Sequence, residues 1–195
     1  LETTPSGEMP LDVYQKLADD RILFITDHIN DMIATDIIAT LLLKDHENSE
    51  EKITLFINSS GGDIRNILSI YDVMQMISAP IETICIGSAM DESVILLAGG
   101  EKGMRFATVN SSISVSQLFQ EWMTHTNITD GKNLLDQLIS DNNKVLGILA
   151  KSTGKRVTQI RKDFGRKVFF NAAQALKYNI IDKVIQPHHD TTTTK

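Results

Sequence analysis

The sequence predicts an α/β fold of strands layered with helices. Three observations carry this: β-rich apolar runs recur along the chain, stretches with helical apolar spacing follow them, and glycines mark several of the junctions. "RILFITDHI" (Arg21 to Ile29), bounded by acids, is the first strand. "DMIATDIIATLLLKDHE" then places Ile33, Ile37 and Leu41 four residues apart, the spacing of one helix face. Its last turn is expected to give way to a solvated loop, "KDHENSEEK". "ITLFIN" (Ile53 to Asn58) is a buried strand ended by "SSGGD". The next helix carries Ile67, Ile70, Tyr71, Met74 and Ile77 on one stripe and closes at Ala79-Pro80.

"IETICIG" is the third strand. A short apolar helix from about Glu92 ends at Gly99-Gly100, paired glycines that signal a C-cap. "MRFATVN" and "SISVSQ" are further strands. Leu135, Leu138, Val145 and Leu149 share a face of a long helix ending at Thr153-Gly154. A last helix near "NAAQALKYN" precedes a short strand in "IIDKVIQP". The end, "HHDTTTTK" (188–195), is polar and low in complexity, so it is expected to lack order. No Pro-, Gly- or Ser-rich linker divides residues 1–187, which are expected to form one domain.

Composition narrows the function classes. The 195 residues are 42% hydrophobic and 23% charged, ordinary for a globular chain. A formal charge of -6 with no basic cluster argues against a nucleic-acid surface. No run of about 18 apolar residues occurs, so no membrane span is expected. The lone Cys85 lies in the apolar run "ICIG" and is read as a buried small hydrophobe, compatible with a reducing compartment. The start, "LETTPSGEMP", has neither an initiating methionine nor a signal-peptide pattern, as after removal of a targeting segment or trimming. "NIT" (Asn127 to Thr129) is read as a chance sequon.

Two stretches have the geometry of a site. In "NSSGGD", Gly61 and Gly62 can aim backbone amides at an anion, as in an oxyanion hole, or simply form a packing turn. In "GSAMDES", a turn between strand and helix has Asp91 at its apex, where a nucleophile elbow carries serine or cysteine. A carboxylate there opposes a developing oxyanion, while Asp91 and Glu92 also suit a capping role at a helix N-terminus. A serine nucleophile needs a base. Of His28, His46, His125, His188 and His189, only His125 in "EWMTHTN" lies in an insertion suited to that task. A surface histidine is the commoner outcome. One alternative is therefore a hydrolase using Ser93 or Ser88 with His125, although Ser93 sits half a helical turn past the apex. No metal-ligand spacing occurs, and neither metal nor cofactor is expected.

The ordered set "DVYQKLADDRILFITDHINDMIATDIIATLLLKD", "ITLFINSSGGDIRNILSIYDVMQMI", "IETICIGSAM", "LLAGGEKGMRFATVNSSISVSQ", "AKSTGK" and "AAQALKYNIIDKVI" resembles the Clp protease proteolytic subunit, ClpP, along almost the whole chain. The resemblance implies a ClpP/crotonase-like spiral of ββα units, with a protruding helical handle over roughly 116–151 and an N-terminal segment at 1–20. It implies two stacked seven-membered rings that dock AAA+ unfoldases of the ClpC or ClpX type. It also places Asp91 in the seat of the catalytic serine, Ser116 in that of the histidine and Val168 in that of the acid. Gly61, Gly62 and Glu92 then supply the oxyanion-hole backbone, here vestigial. Phe119, Trp122 and Met123 replace the glycines of the substrate strand. Phe56 keeps an aromatic at the unfoldase-docking cleft, while Thr54 replaces a common tyrosine.

The pattern resembles ClpR, the non-catalytic paralogue, and "GRKVFFNAAQALKYNIIDKVIQP" resembles its plastid forms. The implied role is a structural subunit in a ring shared with active ClpP-type and other ClpR-type subunits. The implied location is the plastid stroma, chloroplast or apicoplast, otherwise a bacterial or cyanobacterial cytoplasm. The crotonase scaffold leaves a further alternative, an acyl-CoA enzyme using Asp91 or Glu92 as acid/base.

Overall fold

A computed structural model describes residues 13–118 and 127–187, together with the backbone of residues 2–4 and 7–9. Strands β1 (Glu2–Thr4) and β2 (Gly7–Met9) pair antiparallel, and helix α1 (Val13–Asp19) follows. Then come β3 (Ile22–Ile29), α2 (Asp31–Glu47), β4 (Ile53–Gly62), α3 (Ile64–Met76) and β5 (Ile81–Ala89). A single 3-10 turn (Asp91–Ser93) leads into α4 (Val94–Ala98), β6 (Arg105–Thr108) and β7 (Ser112–Val115). The chain continues through α5 (Ile128–Thr153), α6 (Val157–Asp163), β8 (Val168–Asn171), α7 (Ala172–Tyr178) and β9 (Lys183–Ile185).

The main sheet runs β3-β4-β5-β6-β9 with every neighbour parallel. Parallel strands need crossovers and are buried by helices. Here α2, α3 and α4 supply Ile37, Leu41, Ile67, Ile70 and Leu97 to a core shared with Ile25, Leu55, Ile57 and Cys85. Cys85 is fully buried, and that burial pushes its thiol up to about 11 against an opposing hydrogen bond from Ser111. The strand β5 forks. Its middle, Thr83 to Cys85, pairs with Arg105 to Ala107, while Ser88 and Ala89 pair instead with Ser112 and Ile113 of β7. Antiparallel β8 then covers the other edge of β7.

Local chemistry sets the boundaries. Asn30 caps α2 by accepting the Ile33 N–H at 3.0 Å, and Asp63 caps α3 by accepting that of Arg65 at 2.8 Å. Asn171 and Gln174 form a capping box on α7. Gly154, at φ +71°, ends α5 in the left-handed conformation a glycine adopts without strain.

Several expectations need correction. The helix α2 runs through Glu47 because Lys44, buried, pairs with Glu47 at 2.8 Å, so the loop is shorter than its polarity suggests. The strand β4 continues through Gly62 because β3 extends beside it to Ile29. The stripe on α5 splits: Val145 and Leu149 are buried, but Leu135 is 43% exposed. The short elements α1, α6 and β8 have no period long enough to read. Residues 188–195 lie outside the described residues.

One buried arginine organises the N-terminal edge of the sheet. Arg21, at φ +64°, directs its guanidinium to the carbonyls of Lys44 (2.8 Å), Asn48 (2.9 Å), Glu51 (2.8 Å) and Lys52 (3.1 Å). These include acceptors left over at the end of α2. Arg21→Ala should therefore destabilise the chain by about 1.5–3 kcal/mol in chemical denaturation, because it removes four hydrogen bonds made by one buried charged group.

A second pair locks β6 to the chain just before β9. Arg105 Nη2 donates to Asp182 Oδ1 at 2.6 Å, and the Gly103 N–H donates to Oδ2 at 2.8 Å. Burial pushes the Asp182 carboxyl up, but Arg105 and the Gly103 amide outweigh it, so its pKa lies below the usual range. A depressed carboxylate stabilises the fold above the unfolded-state value and loses that contribution as pH falls through the folded one. Asp182→Asn should be less stable than the parent at neutral pH. The gap should narrow as pH falls below the ordinary aspartate range in a denaturation series.

Candidate functional site

The fork in β5 creates the site. As β5 leaves β4, the Met90 N–H donates to the Ser59 carbonyl at 3.0 Å. The next residue, Asp91, turns to φ +51°. A non-glycine residue held there is uncommon, and at a strand–turn–helix junction it marks an elbow. The four residues that follow Ser93 (Val94 to Leu97) are fully buried, so the turn is tied to the core.

Three polar side chains converge on Asp91 through four hydrogen bonds. The Asp91 N–H donates to Ser114 Oγ at 3.2 Å. The Ser114 and Ser116 hydroxyls donate to Asp91 Oδ1 at 3.2 and 3.0 Å. Lys167 Nζ donates to Oδ2 at 2.7 Å, an ion pair with Lys167 about half exposed. The β7–β8 register explains this meeting, since Val115 stands opposite Val168 and brings residues 116 and 167 to the same end. Val168 is half-buried and has no polar group to offer. Lys167, its neighbour, is the residue that sequence reading missed. The signal was a cation one position ahead of the seat assigned to the acid.

Beside the elbow lies an amide cradle. Gly61 has φ +104°, and a Cβ on Gly62 would stand 2.3 Å from the Ile29 carbonyl oxygen, so neither position accepts a side chain. The Ile29 carbonyl accepts the Asp63 N–H at 3.0 Å. Because amide directions alternate along a strand, the Gly62 N–H faces the other edge, toward the 3-10 turn. There Glu92 Oε2 comes within 2.8 Å of the place a Gly61 Cβ would take. Burial pushes the Glu92 carboxyl up, and the Asp91 charge adds to this. Hydrogen bonds from the amides of Glu92 itself and Gly62, and the field of His28, oppose it without reversing the direction. His28 lies within β3, opposite Gly61.

The chain matches the Clp protease family model over residues 5–188. It is 37% identical over 185 residues to the ATP-dependent Clp protease proteolytic subunit 1 of Thermobifida fusca (strain YX), spanning 95% of this chain and 83% of that protein. This chain belongs to the Clp protease family. Its α/β fold is the one the family implies. Clp proteases are serine-type peptidases that work as rings with Clp ATPases.

Among Clp proteases the elbow and the cradle are where a serine attacks and an oxyanion is held, as the resemblance implies. In this Clp-family chain Asp91 and Ser116 meet directly, while Val168 makes no polar contact with either. The displaced-serine alternative fares poorly. Ser93 is 0% exposed and donates to the Met90 carbonyl at 2.7 Å. Ser88 is likewise engaged, donating to Asn58 Oδ1 at 3.1 Å. His125, Phe119, Trp122 and Met123 lie outside the described residues. Among the described residues, no cluster of histidine, cysteine, aspartate or glutamate could hold a metal, and no helix is long and apolar enough to cross a membrane.

Phe56 sits elsewhere, on the outward sheet face. Phe24, Phe56, Ile84 and Phe106 are in register across β3, β4, β5 and β6. Phe24 and Phe56 stack at 5.2 Å, and Tyr14 meets Phe24 edge-on at 5.6 Å. Thr54 is buried and donates to Glu82 at 2.9 Å.

The Glu92 environment has a measurable consequence. A carboxyl raised above its unfolded-state value contributes stability that is full below that value and lost as pH rises through the folded one. Glu92→Gln should therefore be more stable than the parent at neutral pH. The two should converge as pH falls below the ordinary glutamate range.

Proposed function

We propose that this chain is a non-catalytic, ClpR-type subunit of an ATP-dependent Clp protease core. The observation that carries the reading is the polar centre around Asp91. Where the family places a serine, a carboxylate is ion-paired to Lys167 and hydrogen-bonded by Ser114 and Ser116. Peptide hydrolysis by this scaffold needs a nucleophile that sheds a proton to a neighbouring base. Ser116 directs its hydroxyl at Asp91 and is no base near neutral pH. Lys167 is engaged in the ion pair. Val168 cannot orient an imidazole, and none stands at residue 116. Losing one member of such a unit removes most of the rate, and three are replaced.

On this reading the chain takes places in heptameric rings beside active ClpP-type and other ClpR-type subunits, stacked as a tetradecamer. Residues 1–187 act as one domain, with α5 in the handle between rings. The outward row of Phe24, Phe56, Ile84 and Phe106 offers an apolar surface for an AAA+ unfoldase of the ClpC or ClpX type, though Thr54 weakens it by lacking an aromatic ring. Resemblance of the C-terminal segment to plastid forms favours the stroma, chloroplast or apicoplast, over a bacterial or cyanobacterial cytoplasm.

The test is chemical. The purified full chain should neither cleave a fluorogenic peptide nor be labelled by a serine-reactive fluorophosphonate. Asp91→Ser frees Lys167 from its ion pair, so the double variant Asp91→Ser/Lys167→Met is the one that should remain unlabelled, since no base accompanies its new hydroxyl. Mixed with an active ClpP-type partner, the chain should appear within a ring in native mass spectrometry. Robust fluorophosphonate labelling of any serine in the unaltered chain would end this reading.

A further inference from the structure

The amide cradle beside the elbow is not vacant. Three observations locate its occupant. The Gly62 N–H is turned away from β3, because the Ile29 carbonyl takes the N–H of Asp63 instead. Gly61, at φ +104°, carries no side chain, which leaves beside the cradle the space its Cβ would otherwise take. Into that space comes Glu92 Oε2, closer to Gly61 than any Cβ could tolerate. The second amide of the cradle belongs to Glu92 itself, at the first step past the apex. Both N–H groups lie near enough to this carboxylate to draw its pKa down against the burial that raises it.

We propose that Glu92 is a tethered anionic ligand of the cradle, filling it from within so that neither a peptide carbonyl nor a peptide carboxylate can bind there. Two backbone N–H groups converging on one oxygen are the means by which such sites hold an anion. A carboxylate on the same chain reaches them at high effective concentration, set by a short tether. An external carbonyl must displace this tethered oxygen to bind. The block is independent of residues 91, 116 and 168, so restoring those three would leave the cradle closed. A mere cap on the 3-10 turn is the alternative, and in that case Gly62 has no part in it.

The inference builds on the non-catalytic reading, but its test does not use activity. Amide resonances of Gly62 and residue 92 are followed by NMR in the full-length, isotopically labelled chain, with sodium acetate and then N-acetylglycine as carboxylate probes. In the parent chain and in Glu92→Gln, whose amide oxygen can accept the same N–H groups, both probes should leave the two resonances in place. In Glu92→Ala the Gly62 amide should move upfield, and acetate should return it in a saturable titration. Glu92→Met keeps the volume while removing the acceptor, and it should behave like Glu92→Ala if the smaller residue fails to fold. A Gly62 resonance shared by the parent and a folded Glu92→Met overturns the proposal, as does equal acetate binding by both. Fluorophosphonate labelling of the parent chain would instead strike the non-catalytic reading and leave the cradle result standing.

Discussion

The forked pairing of β5 is the constraint on which the rest of the structure depends. A strand pairing β4 on one side and β6 on the other cannot also pair β7 unless it changes neighbour, and β5 does so between Cys85 and Ser88. The change peels its end out of the parallel layer and forces a reversal at Asp91. That reversal sends Val94 to Leu97 into the core, where all four are fully buried. Burying such side chains contributes about 1.5–3 kcal/mol each before conformational entropy is subtracted. Holding a non-glycine residue in the left-handed region costs on the order of 1–3 kcal/mol. The apolar gain exceeds the strain. The elbow is thus stable whatever side chain stands at its apex.

Electrostatics then decides what the apex can carry. Asp91 and Glu92 are adjacent carboxylates, and their mutual repulsion must be offset locally. Each finds a different solution. Asp91 faces the β7–β8 pair and gains a lysine and two hydroxyls. Glu92 turns the opposite way, and its Oε2 stands beside Gly61 of β4. Both arrangements use groups from distant parts of the chain, 23 to 76 residues away for Asp91. The acids are therefore products of tertiary structure and cannot be explained by a helix dipole alone. The helix α4 has only five residues, and its N-cap residue, Ser93, makes no side-chain cap.

This divides what was legible in the sequence from what was not. Long strands with strong patterns, β3, β4 and β5, were legible because an apolar run bounded by turn residues has few alternatives. The helix α3 was legible from its single buried stripe. The elbow at Asp91 was legible as a turn between two apolar runs, and the glycine pair as a possible anion site. Lys167 was not, because its role depends on the β7–β8 register, which no local pattern encodes. Arg21 was hidden for the same reason: it reads as a charged strand boundary, yet it gathers four carbonyls from α2 and the following loop. Leu135 misled because helical spacing states which residues share a face and not what covers it. The reach of Glu92 into the cradle required knowing which edge of β4 carries the Gly62 N–H.

The same separation explains how the chemistry can change while the scaffold persists. Every feature the fold requires at this place is a property of backbone: the fork, the left-handed apex, and glycines where β3 crowds β4. A hydrolytic site would require side chains at 91, 116 and 168 in one arrangement of charge and proton ownership. Of the three, Val168 packs against the core, and it does so from β8 as a half-buried side chain. An acid at the apex is then tolerated provided a cation reaches it, and a carboxylate beside the cradle is tolerated because the amides there need an acceptor. Unfilled, two inward N–H groups would themselves be a cost of about 1–3 kcal/mol each wherever water cannot reach them. Filling the cradle with Glu92 removes that cost with the chain's own atoms, so a subunit that binds no peptide carbonyl still keeps its amides satisfied.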